Sequence, residues 1–114
     1  MAFPGTYNFN YYRGDTNQFV IRPKNANGTN FDLTDYDGLF TIANRRGSSG
    51  TQYEAVATVD ELTDIVTCTI SPATGRELAS GSYVYDVQVD NGTQFYTLLT
   101  GTITVTDDVT GAVI

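Results

Sequence analysis

The sequence predicts an all-β protein that folds as an antiparallel sandwich of two sheets with about seven strands. Apolar and polar residues alternate with a period of two along most of the chain, and Thr, Val, Tyr, Phe and Ile fill the alternating runs. Turn residues separate these runs at the spacing typical of sandwiches, and no unit repeats. The 114 residues are 40% hydrophobic and 17% charged. We therefore expect residues 1–114 to form a single domain with its own core.

Seven runs account for the strands in chain order. They are TYNFNYY, NQFVIRP, GLFTIANRR, TQYEAVATV, DIVTCTI, SYVYDVQVD and TQFYTLLTGTITVT. Two Asn-Gly pairs, Asn27-Gly28 and Asn91-Gly92, can supply the positive φ angles of tight turns. The second pair predicts a hairpin that joins the last two strands.

One short helical turn is predicted between the fifth and sixth strands, where SPATGRELASG breaks the period of two. Ser71 can cap this turn and Pro72 suits the first helical position. At the two ends of the chain, we interpret residues 1–12 as an N-terminal strand or arm and residues 107–114 as a C-terminal tail.

The stretch SGSYVYDV narrows the class to an immunoglobulin-like sandwich. Gly81, Tyr83 and Tyr85 have the spacing of a tyrosine corner, at the start of the penultimate strand. Alternation then directs every second residue inward, and the predicted core includes Tyr83, Tyr85, Val87, Cys68 and Ile103. A single cysteine excludes an internal disulfide, so we interpret it as a small core residue. Gly101, inside the last strand, indicates a bulge or a close backbone approach.

Charge and composition argue against several classes of function. The net charge of −7 would repel phosphate backbones and anionic lipid, so neither nucleic acid nor membrane is an expected partner. Histidine is absent, which removes the commonest general base and transition-metal ligand. The nearby acids Asp32, Asp35 and Asp37 offer oxygen ligands, but their spacing is not that of a calcium loop. We expect no enzyme, no cofactor and no metal.

The tripeptide Arg13-Gly14-Asp15 raises the question of an adhesion signal, because it matches the integrin-binding motif. It lies between two predicted strands, where Gly14 permits a sharp turn and the Asp15 side chain can accept hydrogen bonds from nearby amides. The N-terminus has no secretory pattern, and no apolar stretch is long enough to cross a bilayer. We therefore interpret the tripeptide as a turn.

Several of these segments together resemble a known family. RGDTNQFVI, FDLTDYDGLFTIANRR, VTCTISPATGRELASGSYVYDVQVDNG and LLTGTITVTDDVTG are similar to small immunoglobulin-like structural proteins of tailed phages. That family includes the N-terminal domain of phage baseplate upper proteins and related tail and neck proteins. The resemblance covers roughly residues 13–110 and implies a role in virion assembly. No long extension follows the predicted sandwich, so we do not expect a baseplate upper protein's own role.

The resemblance implies a non-enzymatic virion component that contacts other phage structural proteins and copies of itself. Such a protein would be assembled in the host cytoplasm and would reside in the virion. Its position there would be the tail, neck or baseplate, or alternatively the capsid, as a decoration protein or fibre anchor. The eight tyrosines leave a glycan-binding module as an alternative from another class. Aromatic and apolar residues near the two ends form the candidate interface: Tyr7, Tyr12, Ala112, Val113 and Ile114. The last three could equally close the final strand of the same domain.

Overall fold

The structure, a computed structural model, describes residues 4–47 and 50–109 and confirms the all-β class. Its elements are β1 (Gly5–Thr6), β2 (Phe9–Tyr12), β3 (Asn17–Ile21), β4 (Asp37–Ala43), β5 (Gln52–Asp60), β6 (Ile65–Ile70), α1 (Pro72–Arg76), β7 (Gly81–Asp90) and β8 (Phe95–Thr106). The predicted first strand is divided into β1 and β2, which raises the number of strands to eight. Helix α1 lies between the two strands that the sequence numbers fifth and sixth. No helix of the described ranges has the length and apolar character needed to span a membrane.

The strands form one curled, mixed sheet rather than two separate antiparallel sheets. Their order is β1-β8-β7-β4-β5-β6-β3, and β2 also pairs with β8. Strand β5 links the two parts of this sheet. Its residue Ala55 pairs with β4, while the next residue, Val56, pairs with β6. The prediction of a wholly antiparallel sheet fails at the N-terminus, where β1 and β2 run parallel to β8. Parallel neighbours need a long connection, and here nearly the whole chain provides it.

The interior places the five predicted core residues together. Tyr83 is 8% exposed, and Tyr85, Val87, Cys68 and Ile103 are at most 2% exposed. Aromatic rings surround Tyr85, with the centroids of Phe9 and Phe40 both 5.5 Å from its own. Burial raises the pKa of the Cys68 thiol to about 12, so the thiol stays protonated.

The tyrosine corner closes through a hydrogen bond to the chain just before β7. The Tyr83 hydroxyl donates to the carbonyl oxygen of Ala79 at 2.9 Å, four residues upstream. Because Tyr83 is a buried residue of β7, this bond ties the end of the helical connection to the start of the strand. Ser71 caps the other end of that connection, since its hydroxyl accepts from the Thr74 amide at 3.2 Å.

At Gly101 the N-terminal strand lies close against the backbone of β8. The register continues unchanged from β1 to β2, but Tyr7 and Asn8 leave the regular ladder between them. The Tyr7 carbonyl instead accepts the Tyr85 hydroxyl at 2.5 Å, and the Asn8 side chain accepts the Thr102 amide at 2.9 Å. A Cβ on Gly101 would overlap the Tyr7 carbonyl oxygen. The structure thus has the close backbone approach here, while the β7–β8 bulge lies elsewhere, next to Val87.

Replacing Tyr83 by Phe tests the corner hydrogen bond without opening a cavity. Removing the hydroxyl leaves the Ala79 carbonyl without this donor, so we expect the free energy of unfolding to fall by about 1 kcal/mol. Tyr12→Phe is the matched control, because that ring is 59% exposed. Urea unfolding of both variants measures the difference. Equal midpoints would show that the hydrogen bond does not contribute to stability.

Replacing Gly101 by Ala tests the close approach of the N-terminal strand. The added methyl collides with Tyr7, so we expect a loss of about 1–3 kcal/mol in the free energy of unfolding. We also expect faster hydrogen exchange at the Tyr7 amide, which donates to the Thr100 carbonyl at 3.0 Å. In the control Gly5→Ala, the new Cβ would meet only the Leu99 side chain, at an ordinary 3.5 Å. A Gly101 variant as stable as this control would contradict the assignment.

Candidate interface surfaces

An apolar groove lies where the two terminal strands of the sheet order come together. Strands β1 and β3 end that order, so each has one backbone edge without a neighbouring strand in the described part of the chain. The curl of the sheet brings these edges close, and the rings of Tyr7 and Phe19 pack edge to face at 5.5 Å. The groove has a volume of about 350 Å³. Its lining, which we call the edge groove, consists of Tyr7, Phe19, Val20, Ile21, Arg22 and Leu99.

The edge groove combines exposed apolar side chains with one positive charge. Tyr7 is 45% exposed and Val20 is 44% exposed. Arg22 is exposed, and its side chain makes no hydrogen bond or ion pair with any residue that the structure describes. Water therefore covers an apolar strip beside an uncompensated guanidinium, an arrangement that favours an apolar partner carrying a carboxylate.

A second exposed surface lies at the far end of β8, beside the predicted interface residue Tyr12. Tyr12 is 59% exposed and Val109 is 92% exposed. Asp107 is exposed as well, and its carboxylate has no ion pair or hydrogen bond within residues 4–47 and 50–109. We call Tyr12, Asp107 and Val109 the Val109 surface. The other predicted interface residues, Ala112, Val113 and Ile114, lie outside the described residues.

Beside the Val109 surface, one ion pair joins the helix to the end of β8. The Arg76 guanidinium lies 3.2 Å from the Asp108 carboxylate. Burial raises the pKa of the Asp108 carboxyl, but the hydrogen bond and charge of Arg76 outweigh that effect, and the pKa lies below its usual range. The neighbouring Asp107 is left as the free carboxylate of this surface.

The Arg13-Gly14-Asp15 segment forms the turn between β2 and β3. The Asp15 amide donates to the Tyr12 carbonyl at 3.0 Å, and Gly14 adopts a φ of 87°. The Arg13 guanidinium is engaged by the helical connection, since it donates to the carbonyl oxygens of Arg76 at 2.6 Å and Leu78 at 2.8 Å. An arginine held in this way is not displayed to an external receptor.

The hydrogen bonds predicted for the Asp15 side chain are absent from the described part of the chain. Its backbone takes that role, because the Asp15 carbonyl accepts the Tyr11 hydroxyl at 2.6 Å while the carboxylate stays exposed. The Tyr11 ring is buried, so its hydroxyl meets the turn on the side of the core. The Asp15 backbone carbonyl accepts it there, while the Asp15 carboxylate is exposed to solvent.

The two Asn-Gly pairs lie in exposed turns, but only their glycines have positive φ. Gly28 and Gly92 have φ of 89° and 90°. Asn27 accepts the Thr29 amide through its side chain at 3.1 Å, and Asn91 accepts the Gln94 amide at 2.7 Å. The asparagines therefore stabilise these turns by side-chain hydrogen bonds rather than by a left-handed backbone.

In the acidic loop before β4, one of the three predicted carboxylates, that of Asp32, accepts a hydrogen bond within the turn. Asp32 accepts the Thr34 amide at 3.0 Å, and the Asp35 amide donates to the Glu61 carboxylate at 2.9 Å. Asp37 is exposed at the start of β4. Within the described ranges, no group of three acidic or cysteine side chains is arranged to hold a metal ion.

The sequence predicted only part of the edge groove. The sequence assigned Tyr7 to the candidate interface, and its ring is 45% exposed at the groove. Val20 and Leu99 are 79 positions apart in the chain, and only the curl of the sheet brings them to one groove. One local signal was present, because a β-branched residue occupies an outward position of β3.

Comparisons with known proteins add little to this geometry. No model of a known protein family matches the chain, and no curated protein matches it. Among solved structures, it is similar to InlP of Listeria monocytogenes, with a TM-score of 0.47 and 16% identity over 88% of this chain and 26% of that one. A family 123 glycoside hydrolase from Clostridium perfringens gives a TM-score of 0.39 and 17% identity, over 91% and 23% of the two chains. Both TM-scores are below 0.5, so neither likeness carries an argument about function.

Two substitutions separate the structural role of the turn from an adhesive one. Arg13→Gln removes the charged donor from two backbone carbonyls, and we expect the free energy of unfolding to fall by about 1–3 kcal/mol. Asp15→Glu changes only an exposed side chain, and we expect a change within about 0.5 kcal/mol. Thermal or urea unfolding measures both effects. An Asp15→Glu variant that folds normally but loses binding to one partner would restore the ligand interpretation.

Proposed function

We propose that this protein is a non-enzymatic structural component of a tailed-phage virion, in its tail, neck or baseplate, that acts through protein–protein contacts. The observation that carries the proposal is the edge groove, an apolar strip between two strand edges that lack neighbours in the described chain. The segment resemblance to small phage sandwich proteins supplies the biological setting. On this proposal the protein assembles in the host cytoplasm and resides in the virion.

The edge groove offers two kinds of contact at once. A backbone edge can pair with an added strand of a neighbouring protein, which supplies affinity through main-chain hydrogen bonds. Apolar side chains next to that edge, among them Tyr7 and Val20, can receive alternate side chains of the added strand. Exposed strand edges and exposed apolar patches both favour association with another protein, which supports a role in an assembly.

The remaining reactive groups support a role without chemistry. The Cys68 thiol is buried and protonated, whereas a nucleophilic cysteine needs an exposed, low-pKa thiolate. Burial also raises the pKa of Tyr85, whose hydroxyl is committed to the Tyr7 carbonyl. Both side chains serve the core, and the proposal includes no cofactor and no contact with nucleic acid or membrane.

The location in the particle can take two forms within this proposal. A neck, tail or baseplate ring repeats one heterologous contact around an axis, while a capsid decoration or fibre anchor follows the local symmetry of the capsid. An edge groove on one side of the molecule, with the Val109 surface elsewhere, suits the repeated heterologous contact. We therefore place the ring ahead of the decoration.

A glycan-binding module is the second candidate, and one observation favours it. A groove of about 300 Å³ on the outer face of the sheet is lined by polar side chains, including Arg45, Asp86 and Gln88. Such groups can hydrogen-bond to sugar hydroxyls. Sugars also stack on exposed aromatic faces, however, and the exposed Tyr7 and Tyr12 do not line this groove.

Light scattering after size-exclusion chromatography tests the assembly role. The purified chain is measured alone and then with the structural proteins encoded beside its gene. We expect either a closed oligomer or a monomer that joins a larger complex with those neighbours. A chain that stays monomeric in every mixture, and that binds a sugar on a glycan array, would replace this proposal by the second candidate.

A further inference from the structure

We propose that the partner of the edge groove is a second copy of this chain, which inserts Val109 into the groove and pairs its Asp107 with Arg22. This inference rests on the proposed function as an assembly protein and names the contact through which it assembles. The two surfaces match in chemistry, because each has exposed apolar side chains, and the unpaired Arg22 of one is opposite in charge to the unpaired Asp107 of the other.

The charge match is specific for a chain of this composition. With 13 acidic and 6 basic residues, two copies repel each other on average, and association needs a local exception. Arg22 is such an exception at the rim of the edge groove, since no described residue pairs with it. Asp107 is a free carboxylate two residues from the most exposed part of the Val109 surface.

The apolar match is equally direct. Val109 is 92% exposed and its side chain is small enough to enter a groove of about 350 Å³ beside Val20 and Leu99. Covering these side chains removes apolar surface from water at about 25 cal/mol for each Å² buried. Tyr12, which is 59% exposed, lies on the same surface and enlarges the contact.

Val109 cannot reach the edge groove of its own molecule. Leu99 lines the groove, while β8 runs seven residues farther to Thr106 before Val109 is reached. At about 3.3 Å per residue the strand separates the two surfaces by about 23 Å. The contact must therefore join two molecules, and because it uses two different surfaces it is heterologous. Repetition of such a contact closes a ring or extends a filament.

Mixed disulfide formation tests this geometry directly on the full chain. Val20→Cys and Val109→Cys variants are purified separately, mixed under mild oxidation and analysed by mass spectrometry. We expect the mixed Val20→Cys/Val109→Cys disulfide to exceed either homodimer at least about tenfold, since only the mixed pair meets in the proposed contact. Cys68 is buried with its thiol protonated and should not compete.

Leu62→Cys provides the matched control for the disulfide experiment. Leu62 is 96% exposed in the β5–β6 turn, so its thiol is at least as accessible as one at position 109. A Val20→Cys mixture with this control should give only background disulfide. Equal yields with both partners, or a dominant Val20→Cys homodimer, would overturn the proposed contact.

A charge swap tests the Arg22–Asp107 pair by self-association in sedimentation equilibrium. Arg22→Asp and Asp107→Arg each place like charges together, and we expect each to weaken association by about tenfold. The double variant restores opposite charges in every contact and should return to within about threefold of the unchanged chain. If the losses of affinity add up in the double variant, the Arg22–Asp107 pair is wrong.

The outcomes separate this inference from the proposed function. If the unchanged chain assembles, alone or with its neighbour proteins, but gives neither the mixed disulfide nor the charge-swap rescue, the contact is wrong and the assembly role stands. If the chain stays monomeric in every mixture, both are wrong.

Discussion

The hydrogen bond from the Tyr85 hydroxyl to the Tyr7 carbonyl, across the bare backbone of Gly101, is the interaction on which the rest of the structure depends. It lets the N-terminal strand lie parallel to β8 although two of its residues leave the ladder. The Tyr7 carbonyl lies outside the ladder, and the buried Tyr85 supplies its hydrogen-bond donor from the core. The ring that carries the hydroxyl then becomes the centre around which Phe9 and Phe40 pack.

Once the N-terminal strand is fixed, the turn that follows it is fixed as well. Tyr11 is buried at the end of that strand, and its hydroxyl lies so close to Gly75 that a side chain there would collide with it. Arg13 then donates to two carbonyl oxygens at the end of the helical connection. The tripeptide with the appearance of an adhesion motif is therefore a structural link between β2 and α1, and its arginine has no freedom to act elsewhere.

The same constraint shapes the surface. Holding β1 and β2 against β8 brings their outer edge towards β3, the last strand at the other end of the sheet order. The gap that remains between the two edges is the edge groove. In the proposed assembly role, this apolar lining beside one arginine is the contact site on an otherwise acidic chain. The shape of the edge groove is thus a consequence of how the N-terminal strand is attached.

The sequence by itself determined the strands, the helical turn and most of the core. A period of two assigned Tyr83, Tyr85 and Val87 inward because neighbouring side chains in a strand point to opposite faces, and Ser71-Pro72 marked the helix start by local capping. These features depend on residues close in the chain. Only the tertiary structure decided the parallel N-terminal strand, the sharing of β5 and the edge groove, because each depends on residues far apart in sequence. Alternation states which face a residue takes, but it does not state which strand lies beside it.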